Sequence, residues 1–136
     1  GYPAIAMPRK LPPHGDVWRV AGPSGEIEIV TFDQQHGSIR SVGYRFGNVA
    51  YSSDVDGLPD SALAALQDLD VWIVDALRET PHPSHAHLAR TLDWIEALKP
   101  RRAILTNLHV DLDYQALKAR LPAGVEPAYD GMRFLA

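Results

Sequence analysis

The sequence predicts an α/β fold in which an α+β-like mixed sheet is flanked by helices. The first third of the chain alternates apolar and polar residues between turns rich in Gly and Pro, which is typical of antiparallel strands. From Pro59 onward, short continuous apolar runs alternate with helical periodicity, as in β-α-β units. The 136 residues are 46% hydrophobic, so we expect residues 1–136 to form a single domain with its own core.

Composition excludes several classes of protein and site. The formal net charge of −4 argues against a general binder of nucleic acid or acidic membranes, because such proteins are normally basic. The absence of cysteine excludes disulfides, thiolate zinc sites and a cysteine nucleophile, and it fits the cytoplasmic location that we expect. No apolar run reaches the roughly 18 residues that a membrane-spanning helix needs.

The amino-terminal part predicts an irregular lead-in followed by antiparallel strands. Four prolines fall within residues 1–15, and the chain begins at Gly1 rather than Met, so we also expect it to be a piece of something longer. The dense turn formers of residues 21–25 predict a hairpin, and Gly47-Asn48 predicts a second tight turn. Strands are predicted over residues 16–20, 26–32, 38–46 and 49–52.

The remainder predicts three helices separated by strands. Asp60 is the expected N-cap of the first helix, Ser84 that of the second, which Pro100 ends, and Asp113 that of the third, which runs to Leu121. The run from Val71 to Val74 is apolar throughout, as expected for a strand covered on both faces. Further strands are predicted over residues 102–106 and 132–135.

Residues that can bind metals stand at or just after the ends of several predicted strands. His36, Asp54, Asn107 and His109 all have this placement, and layered α/β folds build their sites at strand ends. A carboxylate can bridge two cations, and neutral imidazole is a common metal ligand. Taken singly, Asp54 is better explained as a turn residue and His36 as a surface residue.

A second cluster places His82, His85 and His87 close together in the sequence. If Ser84 caps a helix, a histidine in its first turn tends to stay neutral, because the helix N-terminus disfavours imidazolium. Such a histidine suits a metal ligand or a donor to a bound oxyanion. The alternative is that the cluster is a solvated helix start.

Asp75 ends the apolar strand, and Arg78 follows it closely. Two roles are open for Asp75: it orients a ligating histidine, or it forms an ion pair with Arg78. Trp72 and Tyr129 are assigned to packing.

These motifs follow one another along the chain in a specific order. They are Gln35-His36-Gly37, Gly43-Tyr44-Arg45-Phe46, Ala50-Tyr51-Ser52-Ser53-Asp54, Asp75-Ala76-Leu77-Arg78, Pro81-His82-Pro83-Ser84-His85, Leu105-Thr106-Asn107-Leu108-His109 and Tyr129-Asp130-Gly131-Met132. From about Pro12 onward, this series resembles the C-terminal half of metallo-β-lactamase-fold hydrolases, in the branch that contains phosphoribosyl cyclic phosphate phosphodiesterase.

The resemblance implies an αββα sandwich with two divalent metal ions, zinc or manganese. It implies that His36 binds one metal, that Asp54 bridges both, and that His85 contacts the phosphate or protonates the leaving group. We expect His82 and Arg78 to assist in binding the substrate.

Two departures from the family pattern bear on the metal site. The motif His-x-His-x-Asp-His, which belongs before this segment, is absent, so we expect only part of the fold here. Asn107 stands where related phosphodiesterases carry a ligand histidine, and either Asn107 or His109 is expected to take that role.

The resulting expectation is a metal-dependent phosphodiesterase for a small, cyclic phosphodiester, with no membrane or nucleic-acid partner. One alternative is another hydrolase of this fold, such as a thioesterase, a lactonase or an RNA-processing nuclease. The other is a non-catalytic fragment that needs its missing half. Because half a sandwich exposes a sheet face that the full fold buries, we expect pairing with the N-terminal half or a homodimer.

Overall fold

The computed structural model describes residues 5, 6 and 8–135, and within them it has a seven-stranded mixed sheet and three helices. The sheet order follows the chain order. The strands are β1 (Val17–Gly22), β2 (Gly25–His36), β3 (Ile39–Phe46), β4 (Val49–Ser52), β5 (Val71–Asp75), β6 (Arg102–Thr106) and β7 (Val125–Pro127). The helices are α1 (Asp60–Ala65), α2 (Leu88–Leu98) and α3 (Tyr114–Arg120). The α/β fold class expected from the sequence is confirmed.

The first four strands form the antiparallel part of the sheet that the alternating pattern predicts. β1 and β2 pair as a hairpin with Gly22 opposite Gly25, and β3 joins β4 with Phe46 opposite Val49. The glycine-rich turns permit both reversals because they relieve the steric limits on the backbone.

The last four strands run parallel to one another. The connections between them contain α1, α2 and α3, as parallel neighbours require a crossover. Because β2 and β4 are each antiparallel to β3, β2 runs in the same direction as the parallel strands. The carboxyl ends of β2, β4, β5 and β6 therefore lie at one edge of the sheet.

All three helices contribute to one apolar core on the same face of the sheet. Trp72 and Val74 of β5 lie on this face beside Ala103 and Leu105 of β6, and all four are buried. Further buried side chains of the cluster come from α2, from α3 and from the residue that follows α1, among them Ile95, Leu117 and Leu66. Each buried leucine contributes roughly 1.5–3 kcal/mol relative to an exposed one.

The opposite face of the sheet leaves large apolar side chains exposed. Phe46 and Tyr51 lie on this face by strand alternation and keep 37% and 39% of their surface exposed, and Ile27 of the hairpin keeps 57%. This exposure agrees with the expectation that a half-sandwich presents an unburied sheet face. What covers it stays a prediction.

Two helix starts differ from the sequence prediction. Asp60 is the first residue of α1, and Pro59 occupies the N-cap position without a side-chain cap. Ser84 caps no helix, because α2 begins only at Leu88 with His87 at its N-cap. The reason for the delay is that the backbone of Ala86 is hydrogen-bonded outside a helix: its N–H donates to the Val55 carbonyl, and its carbonyl accepts from the Leu77 N–H.

The chain ends also differ in part from the prediction. Residues 132–135 form no strand, and the last strand of the described residues is β7. Ala128, which follows β7 directly, donates a backbone hydrogen bond to Leu105. The irregular lead-in is confirmed for its described part, whereas residues 1–4 and 7, like Ala136, lie outside the described residues. None of the helices in the described ranges is long and apolar enough to cross a membrane.

Candidate metal centre

The common edge of the sheet gathers residues from four strand ends. His36 is the last residue of β2, Asp54 follows β4 by two residues, Asp75 ends β5, and Asn107 follows β6 directly. His85 comes from the irregular segment before α2 and reaches the same edge. The four residues at or just after strand ends therefore lie where the sequence predicts them.

His36, Asp54 and His85 form a compact group of metal-binding side chains. One potential ligand atom from each lies within 4.8 Å of the other two. The rings of His36 and His85 meet edge to face with their centroids 4.7 Å apart. His85 is largely buried, whereas the Asp54 side chain is 57% exposed, so the group opens to solvent on the Asp54 side.

A backbone carbonyl fixes the orientation of the His36 ring. Nδ1 of His36 lies 2.6 Å from the carbonyl oxygen of Ser84, an acceptor only, so Nδ1 carries the proton. Nε2 then keeps its lone pair, which is the state a metal ligand needs. Gly37 permits this approach, because a Cβ there would lie 3.0 Å from the Cβ of Ser84.

A buried carboxylate orients His85. Nδ1 of His85 lies 2.7 Å from Oδ2 of Asp75, whereas the Asn107 amide nitrogen is 3.3 Å away and Oδ1 of Asp54 is 3.8 Å away. The shortest, charge-assisted contact determines where the proton sits, so Nδ1 donates to Asp75 and Nε2 is the nitrogen left available. Of the two roles left open for Asp75, the structure supports orienting a histidine.

The environment of Asp75 opposes its ionisation. Burial raises the pKa of Asp75 above its usual value, while the hydrogen bond from His85 and that from the Val55 N–H, 3.3 Å away, act in the opposite direction. Within the described residues, Oδ1 of Asp75 is buried without a hydrogen-bond partner. A carboxylate kept under such conditions is expected where orientation of a neighbour matters more than stability.

The backbone at two site residues takes the left-handed conformation. Asp54 has φ 54° and Asn107 has φ 59°, values that are uncommon outside glycine but are best tolerated by Asp and Asn. At Asn107 this conformation ends the strand alternation of β6. Strand spacing therefore does not relate the directions of the Asn107 and His109 side chains.

Several predicted site residues lie apart from the His36, Asp54 and His85 group. His109 is half-exposed and faces Asp111 at 3.1 Å. Arg78 donates to the backbone carbonyls of Thr80 and Pro81, at 3.2 and 2.7 Å, rather than to Asp75.

His82 lies beside the group, with its ring centroid 5.1 Å from that of His85. Partial desolvation, followed by the charges of Arg78 and His85, lowers the pKa of His82. His87 occupies the N-cap of α2, outside the group. The roles of these residues toward a substrate stay predictions.

Sequence reasoning missed two features of the site. Gln34 is fully buried, and its side chain bonds to Ser41 and to the backbone carbonyl of Ser53, next to Asp54. Its position two residues after Phe32, on the same face of the predicted strand, was the sequence feature that could have indicated its burial. A cavity of about 530 Å³ adjoins Asn107 and is lined by residues 106–108 and 128–132. Tyr129, assigned to packing, is 56% exposed at this cavity, whereas Trp72 is fully buried as expected.

Comparison with known proteins relates the chain to one superfamily. The family described as the beta-lactamase superfamily domain matches residues 7–107. A solved diphosphatase from the PhnP family is 33% identical, with a TM-score of 0.81 over 88% of this chain. The metallo-β-lactamase fold protein YhfI from Bacillus subtilis and human tRNase Z, short form, share the fold at 16% and 17% identity, over 86% and 78% of this chain, with TM-scores of 0.65 and 0.61.

The matches extend over only part of each relative. This chain spans 45% of the diphosphatase, 51% of YhfI and 40% of the tRNase Z. A curated protein from Porphyromonas gingivalis, named octanoyltransferase, is 26% identical over 71% of this chain, which corresponds to 20% of that protein.

Proposed function

Since this chain belongs to the beta-lactamase superfamily, we propose that it is part of a metal-dependent phosphodiesterase that acts on a small, cyclic phosphodiester. The carrying observation is the convergence of His36, Asp54 and His85 at one edge of the sheet. The 33% identity to a diphosphatase supports phosphoester chemistry over the other reactions of this fold.

The donor atoms fit a divalent cation. Two ligands of one zinc ion, each about 2.0–2.1 Å from it, stand no more than about 4 Å apart. The 4.8 Å limit for the group is close to that value, so small side-chain rotations suffice. Imidazole nitrogen and carboxylate oxygen suit zinc, and they also suit manganese.

In this proposal His36 and Asp54 hold the cation, His36 through Nε2 and Asp54 through one carboxylate oxygen. The second oxygen of Asp54 would be available to a second cation, for which Asn107 or His109 would be the further donor from this chain. An amide oxygen is a better ligand for manganese than for zinc, which favours manganese at that second position. Bound cations supply Lewis acidity for a phosphoryl oxygen and make a water more acidic.

His85, in the form that carries a proton on both ring nitrogens, is proposed to act at Nε2 as the donor to the phosphate or to the leaving group. Its Nδ1–H is held by Asp75, which fixes the orientation of the ring and leaves Nε2 as the nitrogen available to a substrate. A proton donor so oriented contributes typically about 10²–10⁴-fold to a reaction that needs one. His82 and Arg78 remain the proposed neighbours of the substrate.

The cavity beside Asn107 provides room for the remainder of the substrate. Its volume of about 530 Å³ falls within the usual size of small-molecule sites, roughly 300–1,000 Å³. The exposed ring of Tyr129 and the carboxylate of Asp130 line it. These groups suit a polar molecule with hydroxyl groups, and the net charge of −4 argues against a long nucleic acid.

Replacing Asp54 by Ala tests the proposal. We expect Asp54→Ala to lose both bound metal, measured by elemental analysis, and turnover of a cyclic phosphodiester. Asp56→Ala is the matched control, because Asp56 lies in the same turn and contributes only backbone groups to the hydrogen bonds found there. Unchanged turnover in Asp54→Ala would sink the assignment.

A second variant separates the role of His85 from that of a ligand. His85→Ala is expected to keep the metal and to lose turnover, whereas loss of the metal would make His85 a ligand instead. A panel of cyclic phosphodiesters, thioesters, lactones and RNA then identifies the substrate class, and preference for any but the first overturns the proposed specificity.

A further inference from the structure

The position of the Asp54 carboxylate depends on a strained backbone. Asp54 has φ 54°, so its Cβ points in a direction that ordinary strand or turn geometry would not give. The φ and ψ of a residue describe how the two flanking peptide planes are rotated about its Cα. Whatever holds the two planes beside Asp54 therefore also aims its carboxylate.

A buried glutamine holds the first of these planes. Nε2 of Gln34 donates to the carbonyl oxygen of Ser53, in the plane before Asp54, at 3.2 Å. The same Nε2 donates its second proton to Oγ of Ser41, also at 3.2 Å. The amide cannot be reversed without placing its oxygen against the Ser53 carbonyl.

A hydroxyl and a carboxylate hold the second plane. Oγ of Ser41 donates to the carbonyl oxygen of Asp54 at 2.7 Å, while Oδ2 of Asp75 accepts from the Val55 N–H of the same plane at 3.3 Å. Because Ser41 has one proton and gives it to Asp54, it accepts the bond from Gln34. Gln34, Ser41 and the Asp54 backbone thus form one directed chain of hydrogen bonds.

The burial of Gln34 destabilises the fold. Gln34 is 0% exposed, and its Oε1 has no hydrogen-bond partner within the described residues. Burying an unpaired amide oxygen destabilises a fold, and an apolar side chain of the same shape would avoid that cost. A stability role alone does not account for glutamine at this position.

We propose that Gln34 and Ser41 are positioning residues that hold the Asp54 backbone in the left-handed conformation and thereby aim its carboxylate into the metal centre. The inference rests on the proposed function for the metal, but the conformation of Asp54 is measurable without one. Neither side chain belongs to the group formed by His36, Asp54 and His85; they act through the two peptide planes.

Gln34→Met and Ser41→Ala test this proposal in the full chain. Methionine keeps the length of the glutamine side chain and removes both donors, and alanine removes only the hydroxyl. We expect the dissociation constant for Mn²⁺ or Zn²⁺, measured by calorimetry, to rise by about 10-fold or more in each variant, as for other residues that orient ligands. Ser41→Thr keeps a hydroxyl on the strand and is expected to restore the affinity.

Ser52→Ala is the matched control. Ser52 is a buried serine two residues before Asp54. Its hydroxyl accepts a hydrogen bond from the Trp72 indole at 3.0 Å and takes no part in the bonds to the two peptide planes beside Asp54. We expect Ser52→Ala to lower the unfolding temperature while leaving metal affinity unchanged. Gln34→Met should show the reverse pattern, with weakened affinity and little change in unfolding temperature, because it also removes the unpaired oxygen.

The second measurement is the three-bond HN–Hα coupling of Asp54 in the metal-free protein, which reports φ. A change of this coupling in Gln34→Met and Ser41→Ala, but not in Ser52→Ala, supports the positioning role. An unchanged coupling together with unchanged affinity overturns it and leaves both residues structural. If the parent chain binds no metal, the proposed function fails, while the coupling still decides the positioning role.

Discussion

The contact between Asp75 and His85 yields the most detailed prediction. Asp75 is fully buried, and its Oδ2 accepts from Nδ1 of His85 at 2.7 Å. Asp75→Ala removes a charge-assisted hydrogen bond, worth about 1.5–3 kcal/mol. At 1.36 kcal/mol for each factor of ten, we expect the step that uses His85 to slow by roughly 10- to 150-fold.

Asp75→Asn is the graded comparison for this variant. The amide oxygen can take the place of Oδ2 and still accept from His85 and from the Val55 N–H, but without the negative charge. A neutral hydrogen bond contributes about 0.5–1.5 kcal/mol, which is about 1–1.5 kcal/mol less than the charge-assisted one. The rate is therefore expected to fall by only roughly 5- to 10-fold. Activity should therefore decrease from the parent protein to Asp75→Asn and further to Asp75→Ala.

The assay compares two phosphodiesters that differ in their leaving group. An alkoxide leaving group needs a proton, whereas p-nitrophenolate does not, so the slowing should be large for the alkyl ester and small for the p-nitrophenyl ester. Equal factors for both esters would refute the role of Asp75 in orienting a proton donor. Thermal unfolding of each variant shows whether a lower rate merely reflects unfolded protein.

The pH dependence of stability gives an independent check on Asp75. Burial raises the pKa of Asp75 in the folded protein, so the folded state holds its proton more tightly than the unfolded chain does. The contribution of Asp75 to stability is then greatest below the unfolded value of 3.8 and falls as the pH rises through the raised value. Relative to Asp75→Asn, the metal-free parent should lose stability over that window in urea titrations.

Three further predictions concern the scaffold. Leu66→Ala empties a fully buried site and should cost about 2–5 kcal/mol in chemical denaturation, whereas Leu135→Ala, at a fully exposed residue, should leave the unfolding free energy unchanged. Asp113→Ala removes the side-chain cap that accepts from Ala116 at 2.9 Å and should cost about 1 kcal/mol; a loss of helix content confined to α3 by NMR would confirm the location. Arg40 donates a hydrogen bond to Asp33 and thereby lowers the pKa of Asp33, and Asp33→Asn removes this charged partner. The variant should therefore be slightly less stable than the parent above pH 3.8, and this difference should vanish as the pH falls below 3.8. The dependence is opposite in sign to that of Asp75.

The strands and the helix cores were readable from the sequence because their causes are local. The alternation of residues 26–32 and 38–46 and the apolar run Val71–Val74 each encode a strand by side-chain spacing alone. Asp113 was correctly assigned as an N-cap, because its carboxylate reaches a backbone N–H only three residues away.

The failures came where contacts distant in sequence outweigh local preference. Ser84 has the right chemistry for a helix cap, yet the helix starts later because Ala86 pairs with Val55 and Leu77. Between the two roles that the sequence left open for Asp75, burial and the route of the chain decided for His85 over Arg78.

The sequence by itself determined which residues this protein brings to its sheet edge. His36, Asp54 and His85 each sit in a motif of recognisable order, and strand ends place them at a common edge. Only the tertiary structure decided how they are aimed. The left-handed Asp54 and the orientation of His85 depend on Gln34, Ser41 and Asp75, whose hydrogen bonds join segments that lie apart in the sequence, so local spacing does not encode them.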